Sequence, residues 1–192
     1  MKTTQKLDLY AQFKSEYATP KTPALIETSA AQYLAIAGRG EPGGAEFQKK
    51  IGALYSVAFT IKMAKKLAGQ DYAVTKLEGL WPQNNKKQWV LVIRIPDFIG
   101  AKDLKEAVQK LGDKGKDPEV AEVEIRRLKE GRCVQMLHIG PYDQVGETIE
   151  TLRAFAKDHR LKFRDALHEI YLSDPRRVKP EKLRTIVRHP VG

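Results

Sequence analysis

Glu169 is the residue whose type and surroundings point most directly to chemistry. It lies in a short apolar segment between His168 and Ile170, with Tyr171 two positions further along. Because side chains in a β-strand alternate between its two faces, Glu169 and Tyr171 are expected on the same face. Burial would raise the pKa of such a carboxyl group, and a buried acid among aromatic rings can attract cations or transfer a proton. An exposed or ion-paired acid with a structural role is the alternative.

A second glutamate, Glu78, occupies a matching place earlier in the chain. It lies in the predicted strand 72–81, as Glu169 lies in the predicted strand 167–172. Both glutamates are therefore candidate catalytic residues, because a carboxylate can hold or deprotonate a water molecule. The structural alternative applies to Glu78 as well.

Several aromatic side chains stand where the rim or wall of a ligand groove would be. Trp81, Phe98 and Tyr142 end or follow predicted strands, and Tyr55 lies on the inner face of the first long predicted helix. Together with Tyr171 they form the predicted ligand-binding set, against which a planar aromatic ligand would stack. Packing in the core is the alternative for each of them.

The remaining motifs predict neither a metal nor an organic cofactor. Residues 38–43 satisfy G-x-G-x-x-G, but the helix that follows fills the interval in which a dinucleotide site places its acid. None of the 4 histidines stands at a metal-ligand spacing, and G-x-S-x-G does not occur. Cys133, in an apolar strand, is expected to be a buried and unreactive thiol.

Composition indicates a globular protein of the cytoplasm. The 192 residues include 34 Lys and Arg against 24 Asp and Glu, which leaves a net charge of +10, and 42% are apolar. The basic residues form separate pairs rather than a basic arm, which does not favour a nucleic-acid partner. No apolar run approaches the length of a membrane span, and the single cysteine excludes an internal disulfide.

The elements that must position these residues follow from the spacing of apolar side chains, which predicts the order β-α-β-β twice. In the first half we expect a strand over 31–37, a helix over 44–67, and strands over 72–81 and 89–95 joined by a turn over 82–87. In the second half we expect strands over 133–139, 167–172 and 183–188 and a helix capped by Asp143. Segments 123–128 and 133–139 flank Glu130-Gly131 and predict a hairpin.

This repetition predicts the domain organisation and an α+β fold. Residues 1–25 are expected to form an irregular lead-in, and residues 26–192 a single domain. Its two repeats would be 26–100 and 120–192, joined by a helical connector. Two such halves can pair about a pseudo-two-fold axis and leave a central groove, the usual place for a small ligand.

Six segments of the chain together have a familiar pattern: Tyr33–Gly40, Ile51–Ser56, Leu77–Trp81, Cys133–Tyr142, His168–Pro175 and Pro180–Arg188. They resemble the GyrI-like small-molecule-binding domain, the effector domain of bacterial multidrug-sensing regulators. The similarity covers nearly everything after residue 25. It is greatest to the stand-alone branch that includes cyclopropanoid cyclopropyl hydrolases.

The resemblance implies a duplicated α+β fold with a central groove. It also implies that a glutamate in the strand matching 168–172, here Glu169, reaches into the groove, and that an aromatic cage surrounds the ligand. The regulators carry a helix-turn-helix domain before this fold. A lead-in of about 25 residues leaves no room for one, so transcriptional regulation by this chain is not expected.

The sequence therefore predicts a cytoplasmic protein that binds planar aromatic or cationic xenobiotics. It further predicts that the protein hydrolyses cyclopropane-containing DNA-alkylating compounds by adding water. The alternative is a binding module without chemistry, which sequesters drugs or modulates a protein partner such as DNA gyrase. Both functions would use the same pocket.

Overall fold

The computed structural model describes residues 6–83, 87–116 and 118–192. These residues form a mixed α+β protein with four α-helices and eight strands. The helices are α1 (Leu9–Gln12), α2 (Ala45–Leu67), α3 (Ala101–Gly112) and α4 (Val145–Asp158). The strands are β1 (Ala24–Glu27), β2 (Ala31–Arg39), β3 (Glu78–Trp81), β4 (Gln88–Ile95), β5 (Glu124–Leu128), β6 (Arg132–Ile139), β7 (Leu167–Tyr171) and β8 (Arg184–Pro190).

The chain divides into two compact units. The first unit contains the described residues of Met1–Gln12, Ala31–Thr75 and Lys87–Leu128. The second contains those of Phe13–Ala30, Lys76–Lys86 and Lys129–Gly192. Strand β3 thus belongs to the second unit, where it pairs with β7. The units do not coincide with the two predicted repeats, and the duplication stays a prediction.

In the first unit, β2 lies between β4 and β5 and pairs antiparallel with both. Helix α2 packs on this sheet through Phe47, Leu54 and Ile61, which are buried and recur every two helical turns. Gly38 is required here, because a Cβ at this position would lie 2.1 Å from the Trp89 indole. The absence of a side chain lets the indole lie against β2.

The second unit has five strands in the order β1-β6-β8-β7-β3, all antiparallel. Helix α4 packs on one face of this sheet, where Leu152 meets the strand residues Val134, Leu167 and Val187 in a buried apolar core. Burying each such side chain contributes about 1.5–3 kcal/mol. The core therefore holds β7, the strand of Glu169, in a defined position.

The strand register of the second unit divides its polar side chains between two faces. Gly79 on β3 and Val187 on β8 are both directly opposite Glu169, and Trp81 is opposite Leu167. Residues directly opposite each other in antiparallel strands share a face. Glu169 and Trp81 therefore lie on the face that α4 covers, and His168 lies on the other.

Helix α2 and the strands β2, β4, β6, β7 and β8 confirm the predicted ranges to within two residues, and α3 and α4 lie where the connector helix and the second long helix were predicted. The strand predicted over 72–81 is shorter, because Tyr72 forms an isolated bridge with Leu7 and regular pairing begins only at Glu78. The predicted hairpin is wrong, since β5 pairs with β2 whereas β6 pairs with β1 and β8. Alternation predicts that a strand forms but not which strand it pairs with.

Two further local predictions differ from the structure. The lead-in over 1–25 was expected to be irregular, but it contains α1 and the start of β1, which pairs with β6. Asp143 does not cap α4, because Gln144 precedes the helix and makes no side-chain capping hydrogen bond. Of the turn predicted over 82–87, residues 84–86 lie outside the described residues.

Candidate functional site

Glu169 and Tyr171 form the centre of a small polar cluster on the α4 side of the second unit. The Tyr171 hydroxyl donates a hydrogen bond to Glu169 Oε2 at 2.9 Å, and Glu169 is only 7% exposed. The two side chains meet because they are two positions apart on β7, as the sequence predicted. The carboxyl group is thus buried with a neutral hydrogen-bond donor.

Gly79 makes room for this cluster. It lies opposite Glu169 on β3, and a Cβ at this position would be 2.7 Å from the Tyr171 hydroxyl and 3.0 Å from the Trp81 indole nitrogen. Such approaches are closer than van der Waals contact allows. Only glycine therefore permits the Tyr171 hydroxyl and the Trp81 indole to lie over this part of β3.

Tyr142 brings the cluster to the protein surface. Its ring packs edge-to-face against Tyr171, with centroids 5.5 Å apart and an interplanar angle of 78°. Tyr142 is 38% exposed, whereas Trp81 and Tyr171 are half-buried. Within the cluster, exposure to solvent is therefore greatest at Tyr142 and least at the Glu169 carboxyl group.

The surroundings of Glu169 favour its protonated form. Burial raises the pKa of the Glu169 carboxyl group, and this effect exceeds the opposing hydrogen bonds from Tyr171 and Trp81 and the positive charge of His168. Burial and the neighbouring Glu169 charge raise the pKa of the Tyr171 hydroxyl well above its ordinary value. The site therefore combines a carboxyl group of increased proton affinity with a phenol that stays protonated.

Glu78 occupies the opposite face of the same sheet. It is fully buried, and its Oε2 lies 2.8 Å from His168 Nε2. The Tyr17 hydroxyl donates to its other oxygen at 3.4 Å. The structure therefore separates the two candidate carboxylates, with Glu169 beside aromatic rings and Glu78 beside a histidine.

His168 links Glu78 to a second carboxylate, Glu130. Its Nδ1 lies 2.9 Å from Glu130 Oε1, so both ring nitrogens face carboxylate oxygens and both donate. Burial would lower the pKa of His168, but the two carboxylates raise it to about 9. Burial would likewise raise the pKa of Glu130, but His168 and Arg188 lower it to about 2. His168 is therefore an imidazolium held between two carboxylates.

Arg188 extends this network toward the N-terminal segment. Its Nη1 donates to Glu130 Oε2 at 2.9 Å and its Nε donates to Gln135 Oε1 at 2.7 Å. Gln135 in turn donates to the backbone carbonyls of Glu16 and Ala18 at 3.2 and 2.7 Å. We call Glu78, His168, Glu130 and Arg188 the buried ionic network, and it joins β3, β7 and β8 to the segment before β1.

The other two predicted ligand-binding aromatics lie in the first unit. Tyr55, on α2, stacks on Phe59 with centroids 6.0 Å apart. Phe98 packs edge-to-face on Tyr72 at 6.1 Å, with Lys65 Nζ 5.8 Å from its ring centroid. The structure thus brings Trp81, Tyr142, Tyr171 and Glu169 together in one group, which with Gly79 we call the Glu169 cluster. The contribution of any of the five aromatics to a cage stays a prediction.

Sequence reasoning missed Gly79 and the partners of Glu78. The signal for Gly79 was a glycine inside a predicted strand, which marks close approach of another group. The signal for Arg188 was a charged residue in the apolar segment 185–188. No local pattern connects Tyr17 or Glu130 to Glu78. Tyr17 precedes Glu78 by 61 residues, and Glu130 is linked to Glu78 only through His168 on β7.

Other chemistry is sparse in the part of the chain that the structure describes. Cys133 is buried, and burial raises the pKa of its thiol to about 12, which makes it unreactive. Among the described residues, no group of three or more His, Cys, Asp or Glu is placed to hold a metal ion. No helix within these residues has the length and apolar character of a membrane span.

Solved structures share this architecture. A protein described as a hydrolase from Listeria innocua is 36% identical, with a TM-score of 0.88 over 97% of this chain and 100% of that one. An uncharacterized conserved protein from Listeria innocua is 35% identical, with a TM-score of 0.90 over 97% of this chain and 100% of that one. The EcmrR C-terminal domain, 12% identical with a TM-score of 0.60 over 89% of this chain and 97% of that one, shares the fold.

No protein with a curated function matches this sequence. The sequence does match the GyrI-like small molecule binding domain over residues 21–191, which includes every residue of the Glu169 cluster and of the buried ionic network. The chain therefore belongs to the GyrI-like family of small-molecule-binding proteins.

Proposed function

We propose that the Glu169 cluster binds a planar aromatic compound that carries an electrophilic cyclopropane and hydrolyses it by adding water. The observation that carries this proposal is the buried Glu169 carboxyl group, hydrogen-bonded to Tyr171 at 2.9 Å and surrounded by aromatic rings. The description of a 36% identical relative as a hydrolase supports water as the second reactant.

Aromatic surfaces would supply recognition. Tyr142 offers a partly exposed ring that contacts Tyr171, and the Tyr171 hydroxyl is bonded to the carboxyl group. Aromatic pairs contribute about 0.5–1.5 kcal/mol beyond the burial of their area. A flat ligand stacked on these rings would bring its strained ring close to Glu169.

The proposed reaction uses Glu169 to move one proton. The oxygen of a water molecule forms a bond to a ring carbon of the cyclopropane while a carbon–carbon bond of that ring breaks. The electron pair of the broken bond moves into the conjugated system of the substrate, and Glu169 accepts the proton that the water loses. The same carboxyl group then protonates the product, which differs from the substrate by one added water. A carboxylate with a raised pKa is a stronger base when ionised, which suits this role.

The proposal assigns proton transfer to Glu169 rather than to Glu78. Glu78 is bonded to His168 on the opposite face of the sheet, and it has no exposed surface. Its contacts are those of an acid that stabilises the fold. We propose that Glu78 supports the reaction by holding β3 and β7 together, which positions Gly79 beside Glu169.

The second candidate is a binding module without chemistry, and the same carboxyl group favours it. An organic cation beside this carboxyl group would stabilise its ionised form, and the faces of the aromatic rings would add to the attraction. Such a module would sequester cationic drugs. A protein partner such as DNA gyrase stays a prediction from the sequence.

Incubation with a cyclopropane-containing DNA alkylator, followed by mass spectrometry, separates the two candidates. The hydrolase should yield a product heavier by one water, and Glu169→Gln should lower kcat by about 10² to 10⁴-fold while changing Kd little. Glu181→Gln, at an exposed position of the same unit, is the matched control and should behave as the wild type. Release of the alkylator chemically unchanged by a protein that binds it would contradict hydrolysis and leave the binding module.

A further inference from the structure

The second unit carries a concave surface formed by residues outside the Glu169 cluster. This cleft has a volume of about 540 Å³ and is lined by the last turns of α4, by residues 160–163 and by Gln83. The Glu169 cluster lies instead on β3, β7 and the segment before α4. The cleft is therefore a second candidate for a ligand on the same unit.

Positive charge dominates the lining of the cleft. Four of its eight lining residues, Arg153, Lys157, Arg160 and Lys162, are cations, and none is a carboxylate. Arg153 lies 3.7 Å from Glu150, but both side chains are more than half exposed, so this pair compensates little of the charge. Lys157 lies in the last turn of α4, where a cation interacts favourably with the helix dipole. The helix dipole does not explain the presence of Arg160 and Lys162, which follow the helix.

Apolar side chains line another part of the cleft. Leu161 and Phe163 line it together with Ala156 of the buried core. The Phe163 ring stacks on His189, with centroids 3.9 Å apart and planes inclined by 24°. His189 is 4% exposed and lies directly behind the lining, since it contacts both Phe163 and Gln83.

His189 supports the lining residue Gln83 from behind. The Gln83 amide donates to the Asp165 carbonyl at 3.0 Å and lies 3.0 Å from His189 Nε2, which therefore accepts. Burial lowers the pKa of His189 to about 4, so the imidazole is neutral and leaves the charge of the cleft to its four cations.

We infer that this cleft binds a small organic anion, a sulfonate, carboxylate or phosphate on a flat apolar body. The apolar body would lie against Leu161 and Phe163, and the anionic group would face Lys157 and its neighbouring cations. The Glu169 carboxyl group, buried in another part of the same unit, offers an anion no such attraction.

Anilinonaphthalene sulfonate, which fluoresces when bound to apolar surfaces, tests this inference on the full chain. The wild type should bind it saturably, and added salt should weaken binding because it screens exposed charges. Lys157→Glu combined with Lys162→Glu should raise Kd about tenfold or more. Lys105→Glu combined with Lys110→Glu, at exposed positions of α3, makes the same change in net charge and should leave Kd unchanged.

Two results would overturn the inference. One is an equal loss of binding in both double variants, which would mean that the probe responds only to net charge. The other is a changed Kd for the sulfonate in Glu169→Gln, in either direction, which would place the probe in the Glu169 cluster. A naphthylmethylammonium salt is similar in size but cationic. Its Kd should be unchanged in the α3 double variant, and it should not compete with the sulfonate. Thermal unfolding of each variant verifies that it is folded.

Discussion

The buried ionic network makes a quantitative prediction for Glu130→Gln. Glu130 places one oxygen 2.9 Å from His168 Nδ1 and the other 2.9 Å from Arg188 Nη1, with its side chain 12% exposed. The substitution keeps the shape of the side chain but removes the negative charge between two cations. The new amide group would also place its own N–H donor against an N–H donor of His168 or Arg188.

Removing one partner from a buried ion pair costs about 3–5 kcal/mol, because the other charge stays buried without compensation. We expect a value near 3 kcal/mol. His168 can release its proton in the variant, and Arg188 keeps its hydrogen bond to Gln135. Both responses reduce the cost.

The pH dependence of stability provides an independent check. The pKa of His168 is raised from 6.5 to about 9 in the folded protein. A raised pKa contributes stability that is fully present below pH 6.5 and is lost as the pH rises through 9. One proton contributes about 1.4 kcal/mol per pH unit, so this group should account for a loss of roughly 3 kcal/mol between these limits. Glu130→Gln should show a flatter dependence, because His168 then has a lower pKa.

Urea unfolding followed by circular dichroism at several values between pH 6 and 9.5 measures both quantities. Glu181→Gln, an exposed substitution of the same type, is the control. Cys133 also titrates near the upper end of this range when unfolded, but the main cause of its raised pKa is burial, which is common to all three proteins. Equal stability of Glu130→Gln and the control, with the same pH dependence, would refute the assigned role of the network.

Three further predictions concern glycine and tryptophan. Gly79→Ala should weaken binding of a planar aromatic ligand at least several-fold in a fluorescence titration, because its Cβ would displace Tyr171 and Trp81. Such a ligand should quench tryptophan fluorescence, and Trp81→Phe should abolish the quenching, whereas persistence of quenching in this variant would point to Trp89. Gly38→Ala should lower the free energy of unfolding in urea by about 1–3 kcal/mol, because its Cβ would overlap Trp89 in the first unit. The same variant should leave the quenching by the ligand unchanged.

The local features of this protein follow from its sequence alone. The three- and four-residue spacing of apolar side chains predicts α2 and α4, and alternation predicts that Glu169 and Tyr171 share a face. The hydrogen bond between them confirms this. Such predictions succeed because neighbours within one helix or strand are positioned by backbone geometry, which repeats every few residues.

Only the tertiary structure decides which distant residues meet. Glu78 and Glu169 have similar sequence surroundings, but the pairing of β3 with β7 places Gly79 rather than Glu78 opposite Glu169 and sends Glu78 to the other face. Glu78 there meets His168, 90 residues away. Strand order and register depend on the burial of whole faces, and a shift of one residue would exchange the two faces. The same alternation that predicts each strand therefore leaves open which glutamate lies beside the aromatic rings.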